Sequence, residues 1–174
     1  HNLCDWKNYK EDSDLLEKEI LEEKNISKPF SVLSISNSSL IQKKSAEIYI
    51  NDKYKNIDLL EKKIIKNKNK NKKIKLGYYS ADFRNHAMSY LLAKMFELHN
   101  KSKFEIFAFS FGPQKNDSMQ NRISSAFDKF IDVRTKTDDE IAKLSREFEI
   151  DIAIDLMGYT KLNRFGVFLH KCAP

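Results

Sequence analysis

The chain has 174 residues, net charge +6, 41% apolar and 11% aromatic side chains, so it can build one domain of ordinary size plus a helical appendage. No apolar run reaches the roughly 18 residues of a membrane span, and the opening HNLCDWKNYK lacks the apolar centre of a signal peptide, so the reading is of a cytoplasmic protein with no membrane partner. Cys4 and Cys172 stand at opposite ends without metal-ligand spacing, which predicts reduced, structural thiols; a start without Met and a stop at Pro174 predict a fragment.

The lead-in covers residues 1–60. Leu15, Leu16 and Ile20 among charges predict an exposed helix from Asp12 to Glu23, closed by Lys28-Pro29. Phe30 to Ser36 (FSVLSIS) alternates, and by period alone it reads as a strand. Asn37 or Ser38 can cap a helix from Leu40 to Tyr54. A Lys/Asn-rich stretch at 61–73 follows. Between Glu61 and Lys75 eight lysines face one glutamate, a local +7 that leaves −1 for the remainder. Nucleic-acid footprints usually mix arginine with aromatics on a folded face, so a solvated loop is the better reading and a nucleic-acid partner is not expected.

The main domain occupies residues 74–174. Lys75 to Ser80 predicts its first strand, and Met88, Leu91, Leu92, Met95 and Leu98 predict a helix with a core-facing stripe. Phe104 to Phe111 (FEIFAFSF) reads as a strand covered on both faces, ended by Gly112-Pro113. A helix from Ser118 to Phe127 leads to a short strand at Phe130 to Val133. Thr137 and Glu140 form a capping box for a helix burying Ile141, Leu144 and Phe148, and Asp151 to Met157 reads as another buried strand. This alternation predicts a Rossmann-like three-layer α/β sandwich with a parallel sheet.

Two strand ends open into one crevice of such a sheet, residues 80–86 and 158–161. With four glycines and neither GxGxxG nor GxxxxGK[ST], dinucleotide and P-loop phosphate cradles are excluded; HExxH, a Cys/His cluster and GxSxG are also missing, leaving metal or serine-elbow chemistry without support. His86 is either a local hydrogen-bonding residue at a helix start or a base kept neutral by the helix N-terminus. Asp82 reads as a helix cap or a loop-orienting group, with capping preferred. Gly158 suits a positive φ or a close backbone approach, and Tyr159 and Thr160 offer hydroxyls to a sugar or phosphate, or simply pack at the strand end.

Several stretches together carry a resemblance: GYYSADFRNHAMSYL, KFEIFAFSFGP, DIAIDLMGYTKLNRFGVFLHKCAP, the opening CDWKNY and the lead-in PFSVLSISNSSLIQKKSAEIY. They are similar, in order and over nearly the whole chain, to the catalytic region of the protein O-linked N-acetylglucosaminyltransferases, including the bacterial SPINDLY-type proteins. The resemblance implies tetratricopeptide helices preceding a GT-B glycosyltransferase region of two Rossmann-like halves, of which this chain is the first, with the helical end of the lead-in. It implies inverting transfer of GlcNAc from UDP-GlcNAc to Ser or Thr of acceptor proteins, with the nucleotide sugar as substrate and no cofactor or metal. Some plant relatives use GDP-fucose instead. The motif histidine falls on His86 as a candidate base, and the GYT loop on Gly158, Tyr159 and Thr160, with Asp82 beside the substrate. Arg84 stands where several relatives have glycine or a small residue, Tyr90 where some have histidine, and Ala87 where some have proline. A non-catalytic, protein-binding Rossmann-like scaffold is the alternative. The resemblance also moves Phe30 to Ser36 from a strand to a mainly helical lead-in.

Overall fold

A computed structural model describes residues 6–61 and 73–174, so the lysine-rich stretch lies almost wholly outside the described residues. The chain divides into two compact units, residues 1–57 and 58–174.

The first unit holds α1 (Tyr9–Leu21), α2 (Pro29–Leu33) and α3 (Ser39–Lys53). Ile20, Val32 and Ile41, one from each helix, form its small core, with Leu16 and Ile48 against them. Ser38, rather than Asn37, caps α3 by accepting a hydrogen bond from the Ile41 amide. The alternating stretch at Phe30 enters a helix that ends at Leu33, followed by a turn, and holds no strand, which corrects the reading from period alone. Lys28 is extended and Pro29 opens the helix, where its missing N–H costs nothing. Val32 is buried, while Phe30 and Leu33 stay exposed, so the alternation does not mark a sheet face.

The second unit is built on four parallel strands, β1 (Ile74–Ser80), β2 (Phe104–Ser110), β3 (Lys129–Asp132) and β4 (Ile152–Asp155), in the order β3-β2-β1-β4. Between and after them come α4 (Ala87–Glu97), α5 (Ser118–Ala126), α6 (Asp138–Glu147) and the short α7 (Phe165–Leu169). Successive strand side chains point to opposite faces and so divide the interior into two cores. Leu76, Tyr78, Ile106 and Ala108 pack with Ala93 and Phe96 of α4 and Met119 and Ile123 of α5. Tyr79, Phe107 and Phe109 pack on the other face with Ile141 and Ala142 of α6 and Val167 of α7. The Rossmann-like sandwich expected from the sequence is therefore present, with helices on both faces.

Two packing expectations are corrected. The buried face of α4 is Ser89, Ala93 and Phe96, with Met88 and Leu92 partly buried against the core; Leu91 and Leu98 are 80% and 70% exposed, and Met95 is exposed too. Alanine and serine let the helix approach the sheet closely and so displaced the larger side chains from the contact. Similarly, β4 is an edge strand among the described residues, and Ile152 is exposed rather than buried.

Candidate functional site

The strand order fixes where a ligand can enter. From β1 the chain moves through β2 to β3 on one side, then crosses to place β4 on the other side of β1. The connections leaving β1 and β4 thus diverge at their carboxyl ends, the switch point of a doubly wound sheet, where a binding crevice is expected. The two loops touch there: the Ala81 amide donates to Met157 Sδ at 3.3 Å, Ser80 Oγ approaches the same sulfur at 3.5 Å, and the Leu156 amide donates to the Tyr79 carbonyl. The loops expected at residues 80–86 and 158–161 thus meet at their starts, through Ser80, Ala81 and Met157.

In the first loop the Asp82 amide donates to Ser80 Oγ at 2.9 Å, and Ser89 Oγ donates to the Asp82 carbonyl. The Asp82 carboxylate takes Arg84 Nη2 on Oδ1 at 2.9 Å, while Oδ2 lies 3.7 Å from His86 Nδ1. Asp82 is therefore the loop-orienting group rather than the cap. The cap of α4 is His86, whose Nδ1 accepts from the Met88 amide at 3.3 Å. Residue 86 immediately precedes the first helical residue with an extended backbone, the position a cap needs, whereas Asp82 lies four residues too early.

The second loop is stabilised by its own residues. Asp155 accepts from the Met157 amide on Oδ1 at 2.9 Å and from the Gly158 amide on Oδ2 at 3.1 Å. Burial pushes the Asp155 carboxyl up, opposed by those two amides. Gly158 has φ +51°, the left-handed conformation anticipated for it, with open space where a side chain would project. Thr160 Oγ1 donates to the Met157 carbonyl at 2.7 Å, so its proton is committed within the loop while its lone pairs remain. Tyr159 packs its ring on Phe165, centroids 4.8 Å apart. Asn163 Nδ2 donates to the Thr160 carbonyl, and Arg164 ties the loop to the start of α6 through Asp138 Oδ1 at 2.6 Å.

Three groups at this edge went unassigned in the sequence. Asp117 caps α5 and also accepts from the Asn85 amide at 2.9 Å, which joins the first loop to α5; these backbone donors hold its carboxyl below the usual range. Asp155 and Arg164 fix the second loop. All three act on backbone or on residues far apart in sequence, and the only sequence signal was the DLxGYTxxNR pattern that contains two of them. Asp132, at the end of β3, lies outside the pair of loops and is held low by Arg134. Among the described residues no group of three or more His, Cys, Asp or Glu side chains is placed to hold a metal, and no helix is long and apolar enough to cross a membrane.

Chemically, the crevice offers an imidazole edge, a loop with an open glycine, and hydroxyl oxygens, but no paired free carboxylates. That set suits recognition of a hydroxyl-rich or phosphate-bearing ligand. The model of glycosyl transferase family 41 matches residues 3–174. A probable UDP-N-acetylglucosamine–peptide N-acetylglucosaminyltransferase SEC of Arabidopsis thaliana is 37% identical over 103 residues, covering 59% of this chain and 10% of that protein. The UDP-N-acetylglucosamine–peptide N-acetylglucosaminyltransferase of Caenorhabditis elegans is 26% identical over 59% of this chain and 9% of its own length. A probable SPINDLY transferase of Arabidopsis thaliana is 27% identical over 58% and 11%. Among solved structures, a mutant of the Thermobaculum terrenum O-GlcNAc transferase superposes with TM-score 0.57 at 30% identity, covering 60% of this chain and 20% of that one. This chain thus spans about a tenth of the length of the curated relatives it matches.

Proposed function

We propose, because this chain belongs to glycosyl transferase family 41, that it forms part of a protein O-glycosyltransferase that moves GlcNAc from UDP-GlcNAc to Ser or Thr hydroxyls of acceptor proteins with inversion at the anomeric carbon. The observation that carries the reading is the meeting of the loops after β1 and β4, where the family-like NH and GYT motifs face one crevice. The chain supplies the acceptor-side half of a GT-B site, and the half that binds most of the nucleotide sugar lies outside it. His86 and Asp82 line one wall of the cleft, and Gly158, Tyr159 and Thr160 line the other. The Gly158 φ and the unobstructed space beside it let a sugar ring or peptide backbone approach the loop closely. No metal takes part in the proposed transfer.

Mass spectrometry of proteins incubated with the intact gene product and a panel of nucleotide sugars tests this reading. The expected result is addition of one N-acetylhexosamine to Ser or Thr with UDP-GlcNAc and not with GDP-fucose. Transfer from GDP-fucose alone corrects the donor, and no transfer from any donor favours a protein-binding scaffold.

A further inference from the structure

Among the described residues, five other than glycine have a positive φ: Glu23, Asn116, Glu149, Leu162 and Lys171. Four of them have a local reason. Glu23, Glu149 and Lys171 stand one place beyond the C-caps of α1, α6 and α7, where helices commonly end in a left-handed residue. Asn116 is of a type that tolerates this backbone, and its amide donates to Gln120 Oε1 at 2.7 Å. Leu162 has neither reason. Its φ is +71°, and it lies outside any helix, two residues before the N-cap of α7.

Leu162 takes the third place of a four-residue turn that begins at Thr160. The Asn163 amide donates to the Thr160 carbonyl at 3.4 Å, and Asn163 Nδ2 donates to the same oxygen at 2.7 Å. Of the two central residues only Leu162 has a positive φ, the pattern of a type II turn, whose third place suits glycine or asparagine. A leucine there brings its Cβ against the following carbonyl oxygen. Burial does not compensate, because Leu162 is 54% exposed. The turn is held from both sides: Thr160 Oγ1 donates to the Met157 carbonyl, and Arg164 donates to Asp138 Oδ1 and to the Lys136 carbonyl. The loop after β4 thus carries an exposed apolar side chain on a strained, clamped backbone, two residues beyond the Thr160 hydroxyl.

We infer that Leu162 is a specificity-determining contact for the acceptor polypeptide, packing against an apolar side chain within two residues of the modified Ser or Thr. The backbone favours glycine at this place; what leucine adds is apolar surface on a rigid frame, the preorganised kind that binds at low entropic cost. Two residues of chain span at most about 7 Å, so a peptide whose hydroxyl lies against Thr160 brings its neighbouring side chains to Leu162. The acceptor-facing role rests on the glycosyltransferase reading of the site; the strain in the turn does not.

The test uses the intact gene product, UDP-GlcNAc and two serine peptides that differ only in carrying leucine or glycine on both sides of the serine. The unaltered enzyme should favour the leucine peptide by about 10-fold in kcat/KM, the scale of one apolar contact. Leu162→Gly and Leu162→Asn, which both suit the turn, should abolish that preference and leave the KM for UDP-GlcNAc unchanged, whereas Leu162→Met should keep it. A preference that survives in both variants, or none in the unaltered enzyme, overturns the inference while the reaction stands. Absence of transfer to either peptide by the unaltered enzyme defeats the glycosyltransferase reading and the inference with it. Thermal unfolding of this chain gives a separate readout. Leu162→Gly should not lower the melting temperature, since glycine adopts the left-handed backbone freely. A fall of more than about 4 °C would show that the side chain serves the fold instead, and would overturn the inference.

Discussion

At the scale of single residues, His86 caps α4 through its Nδ1. Its cap is worth about 1 kcal/mol, the usual cost of removing one. His86→Ala should therefore lower stability by about that amount in urea unfolding, and His86→Asn or His86→Ser should restore it. Loss of the whole fold in the alanine variant would mean a larger structural role than the cap explains. His99 offers a separate test. Its Nε2 lies 2.7 Å from the Tyr78 hydroxyl, and burial, helped by Lys101, pulls its pKa below the ordinary 6.5. The unfolded chain then binds the proton more readily than the folded one. This contribution to stability is present above pH 6.5 and is lost as pH falls through the lowered folded value. The acid side of the stability profile just below pH 6.5 should flatten in His99→Gln, and an unchanged slope would contradict it. The sequence placed His86 at a helix start, but it could not say which ring nitrogen faces the helix. That depends on a backbone amide two residues later and on Arg84 occupying Asp82.

At the scale of elements, all four strands and most helices were legible, because period-two and helical patterns, the Thr137 capping box and Gly/Pro breaks are local signals; the short α7 was not read. What escaped was orientation. The apolar residues of α4 outnumber those it can bury, and the close contact went to Ser89, Ala93 and Phe96 because small side chains bring helix and sheet together. Leu91 and Leu98 point away from the core, a choice invisible without the sheet. The run at Phe30 failed for a related reason: proline at a first helical position outweighed alternation. Two glycines give a paired prediction. A Cβ at Gly112 would lie 1.7 Å from the Ala81 carbonyl oxygen, and both groups are backbone, so Gly112→Ala must shift the start of the first loop. It should cost about 1–3 kcal/mol or more, as overpacking does. At Gly158 nothing obstructs a methyl group, and the cost of alanine is the left-handed φ alone, about 1–2 kcal/mol. Thermal unfolding of the two variants should rank Gly112→Ala as the more damaging. The reverse order would contradict the close approach of the β2 and β1 ends.

At the scale of the whole molecule, the parallel sheet was foreseeable from alternating strands and helices, and its order sets the ends of β1 and β4 side by side. The direction of the crossover, which puts β4 beside β1 rather than beyond β3, was not, since nothing local in Asp151 to Met157 names its neighbour. A site shared between two halves loses most contacts when one is missing. Calorimetry of this chain with UDP-GlcNAc should therefore show no micromolar binding, and micromolar affinity would argue that the donor site is complete within it. The location of the site is tested most directly by following backbone amide signals of this chain as UDP-GlcNAc and a serine-containing acceptor peptide are added to millimolar concentration. Shifts concentrated at residues 81–87 and 157–161 are the predicted result. Shifts confined to other surfaces, or none at saturating peptide, would contradict a half-site at the ends of β1 and β4.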